Sequence, residues 1–219
     1  MKRLANQDSR RKGAIILAGG DSKRLGRPKA LLDFGGQTLI DMMIRRLKTT
    51  FNEITVVTDR PELYQRLPVR LTGDLIKNRH KSPLRGIHAG LSASDLPYQF
   101  VAACDMPFLN LDLINYMAGF AAAYDAVVPR VGFYFQPLHS FYSQKCIKLI
   151  EEQIKAEHFK IIDFYARLNI RFIELEEISR FDPGQESFIN INTMKDYEQA
   201  LDIISPENTK TDILEGGGE

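Results

Sequence analysis

Residues 14–29 read Ala14-Ile15-Ile16-Leu17-Ala18-Gly19-Gly20-Asp21-Ser22-Lys23-Arg24-Leu25-Gly26-Arg27-Pro28-Lys29. The stretch opens as a continuous apolar run and stops at paired glycines. A strand buried on both faces has this pattern, which predicts the first strand of an α/β sheet. The loop behind it is glycine-rich and carries Lys23, Arg24, Arg27 and Lys29. Glycines let backbone N–H groups close around an anion with no Cβ in the way, and cations add charge to those fixed dipoles. The loop is built to hold a polyphosphate. It is neither of two common phosphate loops: Gly19-Gly20-Asp21 breaks the GxGxxG spacing, and no lysine followed by a hydroxyl completes GxxxxGK[ST].

Working outward, Thr38–Thr50 carries apolar residues on one helical face, with Asp41 in its first turn. Glu53–Thr58 and Val69–Thr72 read as strands, Pro83–Ser94 as a helix opened by proline, and Tyr98–Cys104 as another buried strand. A helix over Leu111–Ala123 and a strand over Ala126–Pro129 follow. Strands alternating with helices predict an α/β fold: a single Rossmann-like, doubly wound, mostly parallel sheet with helices on both faces. Val131–Phe135 and Leu138–Tyr142, separated by Gln136-Pro137, predict a small β-hairpin insertion. Helices around Gln144–Ala156 and Phe159–Arg167, a strand at Ile170–Leu175 and a last helix at Lys195–Ile204 complete the pattern. The expected organisation is a flexible basic N-terminus over residues 1–12, one domain over 13–204 and a disordered polar tail over 205–219.

The chain has 219 residues, 29 basic and 28 acidic, so no global field recruits nucleic acid or anionic lipid. No stretch is long and apolar enough to act as a secretory core or to span a bilayer. Cys104 and Cys146 are the only cysteines and lack metal-site spacing. The expectation is a reduced, soluble, cytoplasmic protein with neither nucleic acid nor membrane as a partner.

A second informative site is Cys104-Asp105-Met106-Pro107, behind the strand at Tyr98–Cys104. Ligands of open α/β sheets bind outside the carboxyl ends of strands, where a carboxylate reaches a hard cation held by phosphate oxygens. Asp74 follows the third strand and precedes Lys77, Arg79, His80 and Lys81, a run that reads equally as an anion-holding loop or a solvated face. Asp59, in Asp-Arg-Pro, reads first as a turn residue, and His88 as a packed or solvated helix residue. Phe133, Tyr134 and Phe135 read as core or hairpin packing before a stacking surface. In Asn190-Ile191-Asn192 the two amides of an extended segment share a face, and Thr193 reads as a helix cap.

Taken together, LAGG-x-S-x-R-L-G-x-P-K-A-L-L from Leu17 to Leu32, Asp105-Met106-Pro107 and Phe188–Thr193 resemble the molybdenum cofactor guanylyltransferases, nucleotidyltransferases with a Rossmann-like core. The resemblance spans roughly residues 13–204. It implies magnesium-dependent transfer of GMP from GTP to molybdenum-molybdopterin, with release of pyrophosphate. It places Leu17, Ala18, Gly19, Gly20, Ser22, Arg24, Lys29, Asp74 and Asp105 at the nucleotide. Arg24, Lys29 and Asp105 would carry catalysis, Asp105 would hold Mg2+, and Pro137, Asn190 and Asn192 would face the acceptor. Molybdopterin-delivery proteins and apo-molybdoenzymes are the implied partners. Pro28 departs from the acidic residue common before the motif lysine in the guanylyl branch and is closer to the cytidylyl branch. Gly19, where the CTP-using branch commonly has alanine, favours the larger guanine. The alternatives are therefore the same chemistry with CTP, another phosphorylated acceptor, or a non-catalytic cofactor carrier. An NAD-binding domain is disfavoured by the missing GxGxxG.

Overall fold

The computed structural model describes residues 12–19, 28–76 and 80–204. The basic N-terminus, the loop with Gly20, Ser22 and Arg24, and the tail beyond residue 204 lie outside them. Among the described residues eight strands form one sheet: β1 (Gly13–Leu17), β2 (Glu53–Val57), β3 (Arg70–Thr72), β4 (Tyr98–Ala103), β5 (Ala126–Val131), β6 (Tyr134–Phe135), β7 (His139–Ser143) and β8 (Ile170–Ile173). The order is β3-β2-β1-β4-β7-β5-β6, with β8 also beside β5. β1 lies parallel between β2 and β4, and Leu17 is level with both Val57 and Ala103. The chain winds from β1 to β3 in one direction and continues from β4 on the other side, so the winding reverses between β1 and β4. β7 departs from the parallel pattern, running antiparallel to both β4 and β5.

Successive β1 side chains point to opposite faces, and both faces are buried. Ala14 and Ile16 pack with Ile40, Met43, Ile44 and Leu47 of α1 (Leu39–Leu47) and with Leu113, Ile114 and Met117 of α3 (Leu111–Ala118). Ile15 and Leu17 pack with Leu84, Ile87 and Leu91 of α2 (Pro83–Ser92) and with Ile150 and Ile154 of α4 (Cys146–Lys155). Helix α5 (Leu175–Ile178) is short, and α6 (Met194–Ile204) joins Ala200 to Phe34, Leu39 and Ile191 in a satellite cluster. Among the described residues no helix is long and apolar enough to cross a membrane.

α2 lies close on β1. A Cβ on Gly90 would stand 2.5 Å from Ile15 Cγ2, and one on Gly86 3.1 Å from Leu17 Cδ2. These two glycines, one helical turn apart, bring the start of α2 to the carboxyl ends of β1 and β2. Ser82 caps that start, its Oγ accepting the Leu84 N–H at 3.1 Å and donating to the Phe159 carbonyl at 2.9 Å.

Four local expectations need correction. The helix begun at Leu111 stops at Ala118, because the N–H groups of Gly119, Phe120 and Ala121 tighten to carbonyls three residues back. Ile161–Arg167 is 3-10 rather than α-helical, and Leu175 opens a short helix instead of closing β8. The hairpin also turns earlier than Gln136-Pro137. β6 pairs Phe135 with Arg130 and Tyr134 with Val131, so the turn is Gly132-Phe133, with Gly132 at φ +59°. A glycine with positive φ at the first central position, followed by a residue with negative φ, is the pattern of a type II′ hairpin turn. Gln136-Pro137-Leu138 is instead a bulge in the returning strand, which resumes with Phe141 opposite Val127 and Tyr142 opposite Ala126. Only Phe135 of the aromatic triplet packs inward, near Phe172 and Tyr165; Phe133 is 96% and Tyr134 76% exposed. They stand at a turn that has run past the sheet, so nothing covers them among the described residues.

His139 of β7 is wholly buried, with ring centroids of Phe100 and Phe188 at 5.0 and 5.3 Å. Neither ring nitrogen has a hydrogen-bond partner among the described residues. Burial lowers its pKa to about 4, with Asp182 pulling weakly the other way. The folded protein thus stays unprotonated at this residue while the unfolded chain takes up a proton near pH 6.5. Stability contributed here falls as the pH drops from about 6.5 to about 4, by roughly 3 kcal/mol across that window. His139→Leu, of similar volume, should flatten that dependence. Urea unfolding at pH 7.5 and pH 5 checks it: a stability difference between variant and wild type that is equal at both pH values would refute the assignment.

Candidate active site

A cavity of about 760 Å3 opens where β1, β2 and β4 end. Leu17, Val57 and Leu138 contribute apolar surface, while Asp59, Asp74, Lys81 and Arg85 line one side and Lys29 and Asp105 another. Its position follows from the register: parallel strands ending level leave their following loops side by side at the point where the winding reverses.

At the β4 end, Cys104 N–H donates to the Leu17 carbonyl at 3.1 Å, which ties the Asp105 loop to the end of β1. Lys29, at the start of a 3-10 turn (Lys29–Leu31), places Nζ 3.2 Å from Asp105 Oδ2 and 2.6 Å from Asn192 Oδ1. Asn192 reaches this point because Ile191 N–H donates to the Asp105 carbonyl at 2.8 Å. Asp196 then accepts the N–H groups of Asn192 and Thr193, both at 2.8 Å, and its own N–H donates to Thr193 Oγ1. Thr193 is accordingly the cap of α6. Three segments distant in sequence thus converge on one ammonium. Cys104 beside them is buried and its thiol is pushed up to about 12, by burial first and by the Asp105 charge second, so it stays a neutral packing group.

On the far side, Asp74 follows β3, and Arg85 sits in the first turn of α2. The guanidinium reaches Asp74 Oδ2 at 3.1 Å and donates to the His80 carbonyl at 2.9 Å. Burial raises the Asp74 pKa, and the Arg85 charge opposes that rise. Lys81 pairs with Asp59 at 3.1 Å, and this hydrogen bond holds the Asp59 carboxyl below its usual range. The His80 ring lies 5.1 Å from Phe159. Of the basic run, Lys77 and Arg79 are outside the described residues; His80 and Lys81 pack and pair. His88 is buried and contacts Glu151 Oε1 at 3.0 Å, the packed reading.

The structure gathers Leu17, Ala18, Gly19, Lys29, Asp74 and Asp105 around the cavity, with Asn192 at its edge through Lys29. Two expectations are adjusted. Ala18 N–H donates to the Val57 carbonyl at 2.9 Å, because the ladder runs one residue beyond β1, so it is not part of an anion cradle. Asn190 does not share the Asn192 environment; its amide donates to the Phe188 carbonyl at 3.1 Å, within its own loop. Pro137 lies in the bulge, and its carbonyl accepts from the Tyr142 hydroxyl at 2.9 Å. Sequence reasoning passed over Arg85 and Tyr64, both lining the cavity. A cation just inside a helix opened by Ser-Pro, soon after Gly-Asp, was the one signal for Arg85.

Comparison with known proteins gives the family and the fold. The family model described as MobA-like NTP transferase domain matches residues 14–168. The "Probable molybdenum cofactor guanylyltransferase" of Peptoclostridium acidaminophilum is 37% identical over 210 residues, covering 92% of this chain and 94% of the relative. The molybdenum cofactor guanylyltransferase of Syntrophotalea carbinolica is 35% identical over 188 residues, covering 85% and 89%. Among solved structures, molybdopterin-guanine dinucleotide biosynthesis protein A of Archaeoglobus fulgidus superposes with a TM-score of 0.76 at 28% identity, covering 87% of this chain and 97% of that one. The family model and these relatives show that the chain belongs to the MobA-like NTP transferase family of enzymes.

Proposed function

We propose that this chain transfers GMP from GTP to molybdenum-molybdopterin with magnesium, giving the guanine dinucleotide form of the cofactor and pyrophosphate. The observation that carries the reading is the meeting of Lys29, Asp105 and Asn192 beside a cavity of about 760 Å3. The names of the relatives support guanine and the molybdenum cofactor. Gly19 lines the cavity, where a residue without a side chain would leave room for the larger base. Residues 13–204 would act as one catalytic unit, with molybdopterin-delivery proteins and apo-molybdoenzymes as its neighbours in the reaction sequence. The free, buried state of Cys104 and Cys146 suits the reducing cytoplasm we assign to it.

In the reaction, an oxygen of the acceptor phosphate forms a bond to the α-phosphorus of GTP. The bond from that phosphorus to the oxygen bridging to the β-phosphate breaks, and pyrophosphate leaves with the electron pair. The acceptor phosphate is already ionised at neutral pH, so the site needs position and charge rather than a strong base. The donor chemistry fits magnesium. Asp105 Oδ2 and Asn192 Oδ1 are hard oxygens that already face a cation, the Lys29 ammonium. Among the described residues no cluster of three or more His, Cys, Asp or Glu forms a cage. One carboxylate plus substrate phosphates is the usual way magnesium is held in such sites. Asp105 would hold the ion with Asn192 beside it, and the ion supplies charge neutralisation at the phosphates. Lys29 would then exchange the carboxylate for phosphate oxygen, with Arg24 and the N–H groups of Gly19 and Gly20 completing the anion site.

Purified protein supplied with magnesium, molybdenum-molybdopterin and each of the four NTPs should release pyrophosphate with GTP alone. Release with CTP alone would move it to the cytidylyl reading suggested by Pro28, and no release with any NTP would point to another acceptor or to the carrier. Separately, Lys29→Ala and Asp105→Ala should each lower turnover on the order of 10²–10³-fold, the loss expected for one preorganised charge-stabilising group. Steady-state kinetics decide this, and wild-type turnover by Asp105→Ala would remove that residue from the mechanism.

A further inference from the structure

The end of the cavity away from Lys29 holds a second built constellation. Asp74 and Asp105 each lie two residues past strand ends that are level, Thr72 with Val57 and Leu17 with Val57 and Ala103. Three strand spacings separate β3 from β4, about 14 Å. That is the scale of a nucleoside monophosphate laid along the sheet edge, with its phosphate at Asp105 and its base toward Asp74.

Arg85 is fixed there from several directions. Its side chain is only 8% exposed, and its guanidinium bridges Asp74 Oδ2 and the His80 carbonyl. Its backbone N–H donates to the Ser82 carbonyl at 3.1 Å, and the adjacent Gly86 is pressed against Leu17. Asp74 is more open, at 33% exposed. A carboxylate with one oxygen clamped by a buried guanidinium presents the rest of its acceptor capacity in a set direction.

We propose that Arg85 is a positioning residue for base specificity: by clamping Asp74 it fixes an anionic acceptor for the adjacent N1–H and 2-amino donors of guanine. This rests on the guanylyl reading above. Adenine and cytosine each place an acceptor beside their amino group, so a clamped carboxylate meets a lone pair there. Rejection of a base that leaves a buried polar group mismatched is stronger than rejection by shape alone. Hypoxanthine keeps N1–H but lacks the 2-amino group, which makes ITP the sensitive probe.

The groups facing the Asp74 carboxyl are Arg85, Lys81 and His88, which favour its ionised form, and Asp59, which opposes it. Loss of Arg85 therefore leaves burial and Asp59 less opposed, and the carboxyl protonates at higher pH.

Calorimetric binding of GTP and ITP from pH 5.5 to 8, with steady-state kinetics, tests this on wild type, Arg85→Met, Arg85→Lys and Asp74→Asn. Wild type should prefer GTP over ITP by about 10- to 100-fold, the range for one hydrogen bond to a charged group. Arg85→Met should bring that ratio toward one, raise KM for GTP rather than lower kcat, and move the acidic loss of binding to higher pH. Arg85→Lys should restore part of the ratio, since it returns the charge without the fork. If Arg85→Met does not fold, Asp74→Asn tests the same acceptor and should also lose the ratio. A GTP-specific wild type whose Arg85→Met variant keeps the full GTP-to-ITP ratio at every pH overturns this inference alone. A wild type that binds CTP in preference to GTP overturns the guanylyl reading and this inference with it.

Discussion

The site depends on the close approach of α2 to β1. Gly86 and Gly90 are the contacts that permit it, since a Cβ at Gly90 would stand 2.5 Å from the Ile15 side chain. Packing this tight fixes the height of α2 over the sheet, because interiors tolerate little added volume. The first turn of α2 is thereby brought level with the ends of β1 and β2, and Arg85 is carried into the cavity. On the other side of β1, the parallel pairing with β4 places the Asp105 loop beside the end of the same strand. One buried strand thus sets the spacing between the Asp74–Arg85 end of the cavity and the Lys29–Asp105 end.

The antiparallel strand β7 adds the third wall. It lies between β4 and β5, and Ala103 N–H donates to the Leu138 carbonyl at 3.2 Å as the strand enters from its bulge. The three inserted residues interrupt the ladder with β5, while Leu138 stays beside the end of β4 and lines the cavity. Burying His139 in this strand removes the stabilisation that a hydrogen-bonded imidazole would give, and it ties the sheet's integrity to pH.

Much of this was legible in the residues. The apolar run before Gly19 predicted a strand buried on both faces, and β1 has all five residues buried. A carboxylate behind a second such strand predicted Asp105 at the carboxyl edge, because in parallel sheets the chain must loop there before crossing over. Asn192 was legible as an amide before a capped helix, though its partner Lys29 lies 163 positions away and no local pattern joins them. The hairpin was misplaced for a physical reason: Pro137 interrupts a ladder whether it sits in a turn or in a bulge. Phe133 and Tyr134 misled similarly, since aromatic residues beside a strand have the same pattern whether the turn folds over the sheet or runs past its edge. Arg85 was hidden because a charged residue on an amphipathic helix normally marks the solvated face. Tertiary contacts, among them those with Asp74 and the His80 carbonyl, hold it in the interior.

Of the three ion pairs that line the cavity, Lys29–Asp105 and Arg85–Asp74 differ in burial. Lys29 and Asp105 are 18% and 24% exposed and share their surroundings with a neutral amide, so a polyphosphate and its cation can compete for both partners. Exchanging partners there leaves each charge compensated throughout. Arg85 is 8% exposed, and separating it from Asp74 would take a buried guanidinium away from a carboxylate, which is costlier than opening a solvated pair. The first pair is therefore suited to rearrange in each catalytic cycle, and the second to stay closed through it. On the proposed reading, a nucleotide bound between them would meet a rigid end that reads its base and an exchangeable end that holds its phosphates. Selectivity and turnover could then be altered separately, because the residues proposed to set them sit on opposite sides of β1.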